Sequence, residues 1–432
     1  PVYGLFHEQA VQTASTDRMW QNTFISEGGD GSGSVGSFVR RGVTIRYEAI
    51  RDFVSDVMML LNVATPTGFV PRAAMEIARK RALQTIILTR ERNLWLSATG
   101  VNSSGTNLGD PLAYNGFYAA VGGASVDNGT GILSFSSSAG QFTDLRGAPV
   151  SFGAIQEVVE KKWSPSNGQQ SQIRHVVMLP RAYTSLVQEA QANIRYDGGT
   201  ASIGGVHVKW AAGKLSLIPS YGGEVEIKAA SCMLGQSPRN PNTVAKGGSA
   251  TETIPTFSAV TPAAATGSSS RFTTADAGSY IYRITAIGRS LEAIPLVTAA
   301  VSVVSGDVVT INIGAAASSE ANILYYLVER TPADAADSTN SSFLWIWPRN
   351  QAGAGSTTRI IDSNVARANH SPVAFFTGNE DNFNEWESLL PTFFKPLAQT
   401  GTTVPFLMLD FGAPFFKAPE LQHLIMNAAF AS

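Results

Sequence analysis

Phe142-Thr-Asp-Leu-Arg-Gly-Ala-Pro-Val150 leads through a helical stretch into His175-Val-Val-Met-Leu-Pro-Arg-Ala-Tyr183. The first nine residues close a loop-rich region, 101–149, in which Gly, Ser and Asn clusters separate short apolar runs. Ile155, Val158 and Val159 then recur at helical spacing and predict a helix over 151–163. His175–Leu179 is a short apolar run and predicts a buried strand, with a second helix expected near 181–193. Downstream, Val206, Val208 and Trp210 alternate with His207 and Lys209, while Leu215 and Leu217 alternate with Ser216 across an Ala-Ala-Gly turn. Residues 206–218 therefore read as a hairpin. Helices mixed with antiparallel strands make an α+β pattern.

Toward the N-terminus, residues 1–40 are polar and end in Glu-Gly-Gly-Asp-Gly-Ser-Gly-Ser-Val-Gly (27–36). With little apolar surface to bury, they read as an extended arm or flexible loop. Helical periodicity follows in 44–61 and more clearly in 72–97, where Pro71 stands at the start and Gly100 just past the end. In the second segment Ile77, Leu88 and Trp95 share one side. Leu83, Ile87 and Leu94 form a second apolar set beside Arg72, Arg79 and Arg90. A helix apolar on two sides is expected to be sandwiched between neighbours.

Toward the C-terminus the character changes at about 235. Residues 236–253 carry Gly, Pro, Asn and Ser and read as a linker. From 254 to about 362 the pattern is of short strands: Tyr280–Ile287, with Tyr282, Ile284 and Ala286 on a common face, then Val301–Val304, Val308–Ile313, Ile323–Glu329, Phe343–Trp347 and Thr358–Ile361. That rhythm is expected of a β-sandwich. Residues 370–432 return to the mixed pattern, with a strand at Val404–Asp410 and a core segment at Leu421–Phe430. The expected organisation is a β-sandwich, 254–369, inserted into an α+β host.

Composition narrows the function. Charged residues make up 15% of the 432, against about 25% in an ordinary soluble domain, and the net charge of −2 argues against a polycationic nucleic-acid wrapper. One cysteine, Cys232, excludes a disulfide framework and reads as a small buried hydrophobe. No apolar run reaches membrane-spanning length, and the first residues have no signal-peptide pattern. Gly31-Ser-Gly-Ser-Val-Gly36, with Asp52 downstream, matches a dinucleotide fingerprint in letters but lacks the strand before it and the helix after it. The five histidines are scattered without metal-ligand spacing, and no nucleophile elbow is present. Glu380, Asp381, Glu385 and Glu387 around Trp386 read as a solvated or subunit-facing helix start rather than a glycosidase carboxylate pair. The window 40–92 holds ten Lys and Arg against five Asp and Glu, an excess that suits pairing with acids on a neighbouring chain or non-specific phosphate contact. No cofactor and no enzymatic activity are expected.

The order of these segments resembles a family, the tailed-bacteriophage major capsid proteins of the Hong Kong 97-type fold. Phe142–Val150, the following helix and His175–Tyr183 are similar to the passage from a spine helix into a sheet in that family, and Val206–Pro219 to the hairpin after it. Trp386-Glu-Ser-Leu-Leu-Pro-Thr-Phe-Phe-Lys-Pro-Leu-Ala398, then Phe406–Phe411 and Ala418-Pro-Glu, look like the C-terminal end of capsid proteins that carry an inserted domain. The insertion resembles a fibronectin type III or immunoglobulin-like module, above all at Tyr280–Gly288. The resemblance implies an N-terminal arm (1–40), an extended loop (41–71), peripheral and axial domains (72–235), the linker, the projecting insertion and a return to the capsid core (370–432). It leaves 72–97 and 151–163 as alternative spine helices.

It also implies pentamers and hexamers of the chain, a virion shell assembled in host cytoplasm around double-stranded DNA, portal, scaffold and cementing or decoration partners, and no membrane. Arg40, Arg41, Arg46, Arg51 and Trp386 are the expected inter-subunit contacts. Two alternatives stand beside it. One is an encapsulin-like compartment; the other is a carbohydrate-binding surface protein in which Trp345 and Trp347, on one strand face at period two, form an exposed platform instead of filling the sandwich core.

Overall fold

The structure is a computed structural model. It describes residues 6–14, 37–55, 74–96, 114–126, 131–135, 141–162, 173–193, 200–203, 206–211, 214–218, 224–230, 233, 246–247, 262–288, 291–313, 323–348, 358–377, 384–399, 401–416 and 419–430. In chain order the host begins with β1 (Phe6–Ala14), β2 (Ser37–Thr44), β3 (Arg46–Ser55), α1 (Ala74–Leu96), α2 (Phe117–Ala120), β4 (Ala124–Val126), β5 (Leu133–Phe135), β6 (Phe142–Asp144), α3 (Phe152–Lys162), β7 (Ile173–Met178) and α4 (Pro180–Asn193). There follow β8 (Thr200–Ile203), β9 (Val206–Ala211), β10 (Lys214–Ile218) and β11 (Val225–Ala229). The β-rich segment holds β12 (Lys246–Gly247), β13 (Ala263–Thr266), β14 (Gly278–Tyr280), β15 (Tyr282–Gly288), β16 (Leu291–Glu292), β17 (Leu296–Val297), β18 (Val301–Val303), β19 (Asp307–Ile313), β20 (Ile323–Arg330), β21 (Ser342–Pro348) and β22 (Thr358–Asp362). The chain ends with β23 (His370–Thr377), β24 (Asn384–Pro396), β25 (Thr403–Phe416) and β26 (His423–Ala429).

The stretch from Phe142 to Tyr183 folds as its pattern predicts. β6, α3, β7 and α4 follow one another, and the hairpin β9–β10 pairs Val208 with Leu217. These strands belong to an eight-stranded mixed sheet, ordered β6-β26-β23-β7-β11-β10-β9-β8. α3 and α4 bury Phe152, Ile155, Val158, Ala182, Leu186 and Ala190 against Val176, Met178, Leu215, Ile227, Val373 and Phe375. His175 lies on β7, which is central in this sheet, and burial lowers its ring below the ordinary histidine range.

A second layer is built from distant parts of the chain. β24, β25 and β3 form a three-stranded antiparallel sheet, with Thr403 opposite Ser55 and Gly412 opposite Arg46. α1 lies on it through Ala78, Ala82 and Ile86, which meet Val54, Phe406 and Met408. Positions four apart fall on one helix face, and two alanines there let the helix axis come close to the sheet.

Several expectations are corrected. Over its described part, 44–55, the segment read as helical forms strands instead, because those residues also alternate at period two. Glu48, Ile50, Asp52 and Val54 face α1, while Tyr47, Ala49, Arg51 and Phe53 are exposed. The segment around Trp386 is the start of strand β24, not a helix start, since Trp386 is held by pairing with Pro414. The arm includes a two-stranded antiparallel ribbon, β1–β2, with Phe6 opposite Thr44 and Val11 opposite Val39. Of the linker 236–253, Lys246 and Gly247 are described and pair with Glu292 and Leu291. Residues 56–71, the glycine-rich 27–36 and Cys232 lie outside the described residues.

Within 254–362 all six predicted strand segments are found, and the larger sheet is ordered β12-β16-β15-β20-β21 with β17 also against β15. A three-stranded sheet, β13-β19-β22, shares its hydrophobic core, and Tyr282, Ile284 and Ala286 are fully buried. That core also takes in Trp95 and Leu96 of α1 and Phe117 and Tyr118 of α2, so the segment is packed into the host. Trp345 and Trp347 are each 2% exposed, and the Trp347 Nε1–H donates to the Gly131 carbonyl at 2.9 Å. They fill the core, and the surface platform expected as an alternative is not formed.

Candidate subunit interface

The layer made by α1 and the sheet β24-β25-β3 has two apolar outer faces. On the helix, Ile77, Leu83, Ile87 and Leu88 are between 41% and 58% exposed. Packing on the sheet uses the Ala78–Ala82–Ile86 stripe and leaves the larger residues pointing away. On the sheet, the strand period carries Tyr47 and Phe53 outward, at 56% and 61% exposure, with Leu390 and Phe393 also exposed on β24. These rings are contiguous across three strands: Tyr47 meets Phe411 edge-on at 4.9 Å, and Phe411 stacks on Phe393 at 5.6 Å. An apolar band of this kind is a hallmark of an interaction surface, whereas single exposed apolar residues are ordinary.

Between the faces lies a polar seam. Arg90 continues the buried helix stripe and forms an ion pair with Asp410, whose side chain is fully buried. Thr392 Oγ1 donates to the other Asp410 oxygen at 2.8 Å. The Arg90 guanidinium also lies 4.4 Å over the Trp386 ring, which meets Tyr114 edge-on at 5.8 Å. Gly412 is required here, because a Cβ on it would stand 2.4 Å from the Trp386 indole nitrogen. Glu48, opposite Asp410 in the strand register, accepts from Asn93 Nδ2 at 3.1 Å and from the Tyr114 hydroxyl at 3.4 Å. Its Oε2 is buried without a hydrogen-bond partner. Burial pushes the Glu48 carboxyl up from the usual range, and burial next to Glu48 pushes the Tyr114 hydroxyl up as well. Farther along, Arg81 clamps Asp52 through bonds of 2.6–3.1 Å, tying α1 to β3.

The expected contact residues divide across this layer. Arg51 stands on the exposed sheet face among Tyr47, Ala49 and Phe53. Arg46 turns to the inner side, with its Nε buried and without a hydrogen-bond partner. Trp386 is held against Arg90 and Tyr114 of its own chain. Arg40 and Arg41 pair with Ala10 and Gln9 in the ribbon, and their side chains lie outside the described residues. Sequence reading misses Glu48, Asn93, Tyr114 and Asp410, since only the pairing of strands some 360 residues apart brings them together.

Among the described residues no group of three or more His, Cys, Asp or Glu is placed to hold a metal ion, and no helix is long and apolar enough to cross a membrane.

No family profile matches the sequence, and no curated protein is similar to it in sequence. Among solved structures, the chain is similar to the capsid of a native GTA particle, with a TM-score of 0.42 and 9% identity over 99% of this chain and 86% of that one. It is similar to the capsid of cyanophage P-SCSP1u, with a TM-score of 0.40 and 9% identity over 99% and 84%. It is similar also to the holo-SrpI encapsulin complex of Synechococcus elongatus, with a TM-score of 0.35 and 8% identity over 100% and 85%.

Proposed function

We propose that this chain is the major capsid protein of a tailed phage, a structural subunit and not an enzyme. It assembles into pentamers and hexamers that close an icosahedral head shell around double-stranded DNA. The observation that carries the reading is the pair of apolar faces on opposite sides of one helix–sheet layer. A copy that presents two such faces can be covered on both only by neighbours, and contacts repeated under symmetry turn weak interfaces into a closed shell. The low charge content fits a surface largely spent on such contacts, and so does the segment order noted in the sequence.

In this reading the ribbon and arm of 1–40 lie on a neighbouring copy. Arg40, Arg41 and Arg51 face acidic groups across subunit boundaries, while Arg46 stays on the inner side of its own layer and Trp386 braces that layer. The 254–369 insertion is an immunoglobulin-like sandwich. Portal, scaffold and decoration proteins are the further partners, the host cytoplasm is the place of assembly, and the virion is the destination.

Electron microscopy of the purified chain after sizing tests this. Closed shells, or pentamers and hexamers, are expected. A monomer that never assembles, even with scaffold supplied, overturns the reading. Shells that hold an enzyme cargo in place of packaged DNA would identify a compartment instead.

A further inference from the structure

The polar seam carries an inference of its own, which concerns the chain itself and stands whether or not it closes a shell. We propose that Glu48 and Asp410, register partners on the helix-facing side of β3 and β25, form a proton-linked latch that holds β3 against α1 while Glu48 carries a proton and loosens it when Glu48 ionises.

The geometry sets the charge balance. Two carboxyl groups stand directly opposite each other across an antiparallel pair, on its buried side. Like charges in that position repel. From β25, Asp410 faces Glu48 and is itself engaged by Arg90 and by Thr392 of β24. From α1, Glu48 is faced by Arg90, already committed to Asp410, and by the neutral amide of Asn93. From the segment before α2 it is faced by the Tyr114 hydroxyl. On its own strand the nearest charge on the same side is Arg46, two residues away.

One guanidinium thus serves two acids, and both partners of Glu48 Oε1 are neutral donors. A protonated Glu48 fits this site: Oε1 accepts from Asn93 and Tyr114, and the buried Oε2 carries no charge. An ionised Glu48 places a second negative charge where its Oε2 has no donor, which is costly in a buried setting.

Burial raises the carboxyl most, with Asp410 acting in the same sense and Asn93, Arg90 and Tyr114 opposing. The sign follows. Because the folded chain holds this proton more tightly than the unfolded chain, the latch is at full strength below the ordinary glutamate range of about 4.3. It weakens as pH rises through the raised value.

Hydrogen exchange of the full chain at about pH 5 and about pH 8, corrected for the intrinsic exchange rate, reads the latch directly. Peptides from β3 and the C-terminal half of α1 are expected to lose protection by about tenfold for each pH unit by which Glu48 is displaced, with the histidine-free strands β15 and β20 unchanged. Glu48→Gln keeps the acceptor for Asn93 and offers an amide to Asp410, so it should hold protection equal at both pH values. Equal protection in the wild type, or an undiminished loss in Glu48→Gln, overturns the proposal. Should Glu48→Gln not fold, Tyr114→Phe decides. Removing a donor to the ionised form should move the loss of protection to higher pH, and an unmoved midpoint refutes the latch.

Discussion

Replacing Ile87 and Leu88 together by glutamate should abolish assembly and leave the subunit folded. Both side chains are slightly more than half exposed, Ile87 at 53% and Leu88 at 58%. Fully burying such a side chain is worth about 1.5–3 kcal/mol, so covering the exposed half contributes about 1 kcal/mol each. Losing both removes about 2 kcal/mol per contact, a factor of about 30 in its equilibrium, before the cost of desolvating two carboxylates is counted. In a closed lattice every copy repeats that loss. Within the isolated chain the same changes touch solvent and should shift stability by no more than about 0.5 kcal/mol. Sedimentation velocity and electron microscopy read the assembly, and thermal unfolding followed by circular dichroism reads the fold. Shells at unchanged yield would show that this helix face is not a contact. Unfolding of the double variant would show that these residues are packed within the subunit and that the division into inner and outer helix faces is wrong.

Three further outcomes are expected. Ile86→Ala, at a fully buried position between α1 and the sheet, should cost about 2–5 kcal/mol, read as a lowered urea midpoint of the subunit. Arg283→Met should cost about 3–5 kcal/mol, because it strands Glu329, its ion-pair partner at about 3% exposure, without compensation in the core; adding Glu329→Leu should recover most of that loss. Burial pulls the Lys162 ammonium down to about 8, although its Nζ donates to the Glu420 carbonyl at 2.9 Å. Between about pH 8 and pH 10 the unfolded chain therefore binds the extra proton, so stability should rise with pH across that window in the wild type and stay flat there in Lys162→Met, as denaturant midpoints at the two ends will show.

The parts of the fold legible in the sequence are those whose signal is local. α1 is visible from its caps and length, α3, β7, α4 and the β9–β10 hairpin from their periods, and the strands of 280–361 from runs of β-branched and aromatic residues. The region 44–55 misleads because charged residues on the inner side of a strand break the apolar alternation. Arg46, Glu48 and Asp52 face α1, where Arg81 and Asn93 receive two of them, and no local pattern announces such partners. The faces of α1 also differ from their periodic reading. Ile77, Leu83, Ile87 and Leu88 give the apolar signal, yet the helix packs inward by its alanines, because close approach to a twisted sheet favours small residues over large ones. The carboxyl pair of the seam has no signal at all until the register of β3 against β25 is known.

The boundary expected from composition at 254–369 shows where composition and energetics part company. Residues 254–369 change character sharply in sequence, and a domain defined that way should own its core. Here Trp345 lies 5.8 Å from Tyr118 and 5.6 Å from Phe135, both host residues, in contacts that join α2 and β5 to β21. Gly131 stands at φ +76°, where a Cβ would lie 2.1 Å from the Arg359 carbonyl oxygen, so the host loop is pressed against β22 as closely as backbone allows. Polar contacts add to these: Arg271 pairs with Asp144 at 3.0 Å, and the Asn427 amide bridges Asp144 and the Val365 carbonyl. Bending the segment away from the host would expose these aromatic rings and strand these polar groups together, so these contacts oppose such a motion. With its largest aromatics turned inward, the described part of the segment exposes Ile294, Val297 and Val304 as its large apolar residues. The contiguous apolar surface is on α1 and on β3, β25 and β24. Contacts between copies should therefore be sought first on that layer.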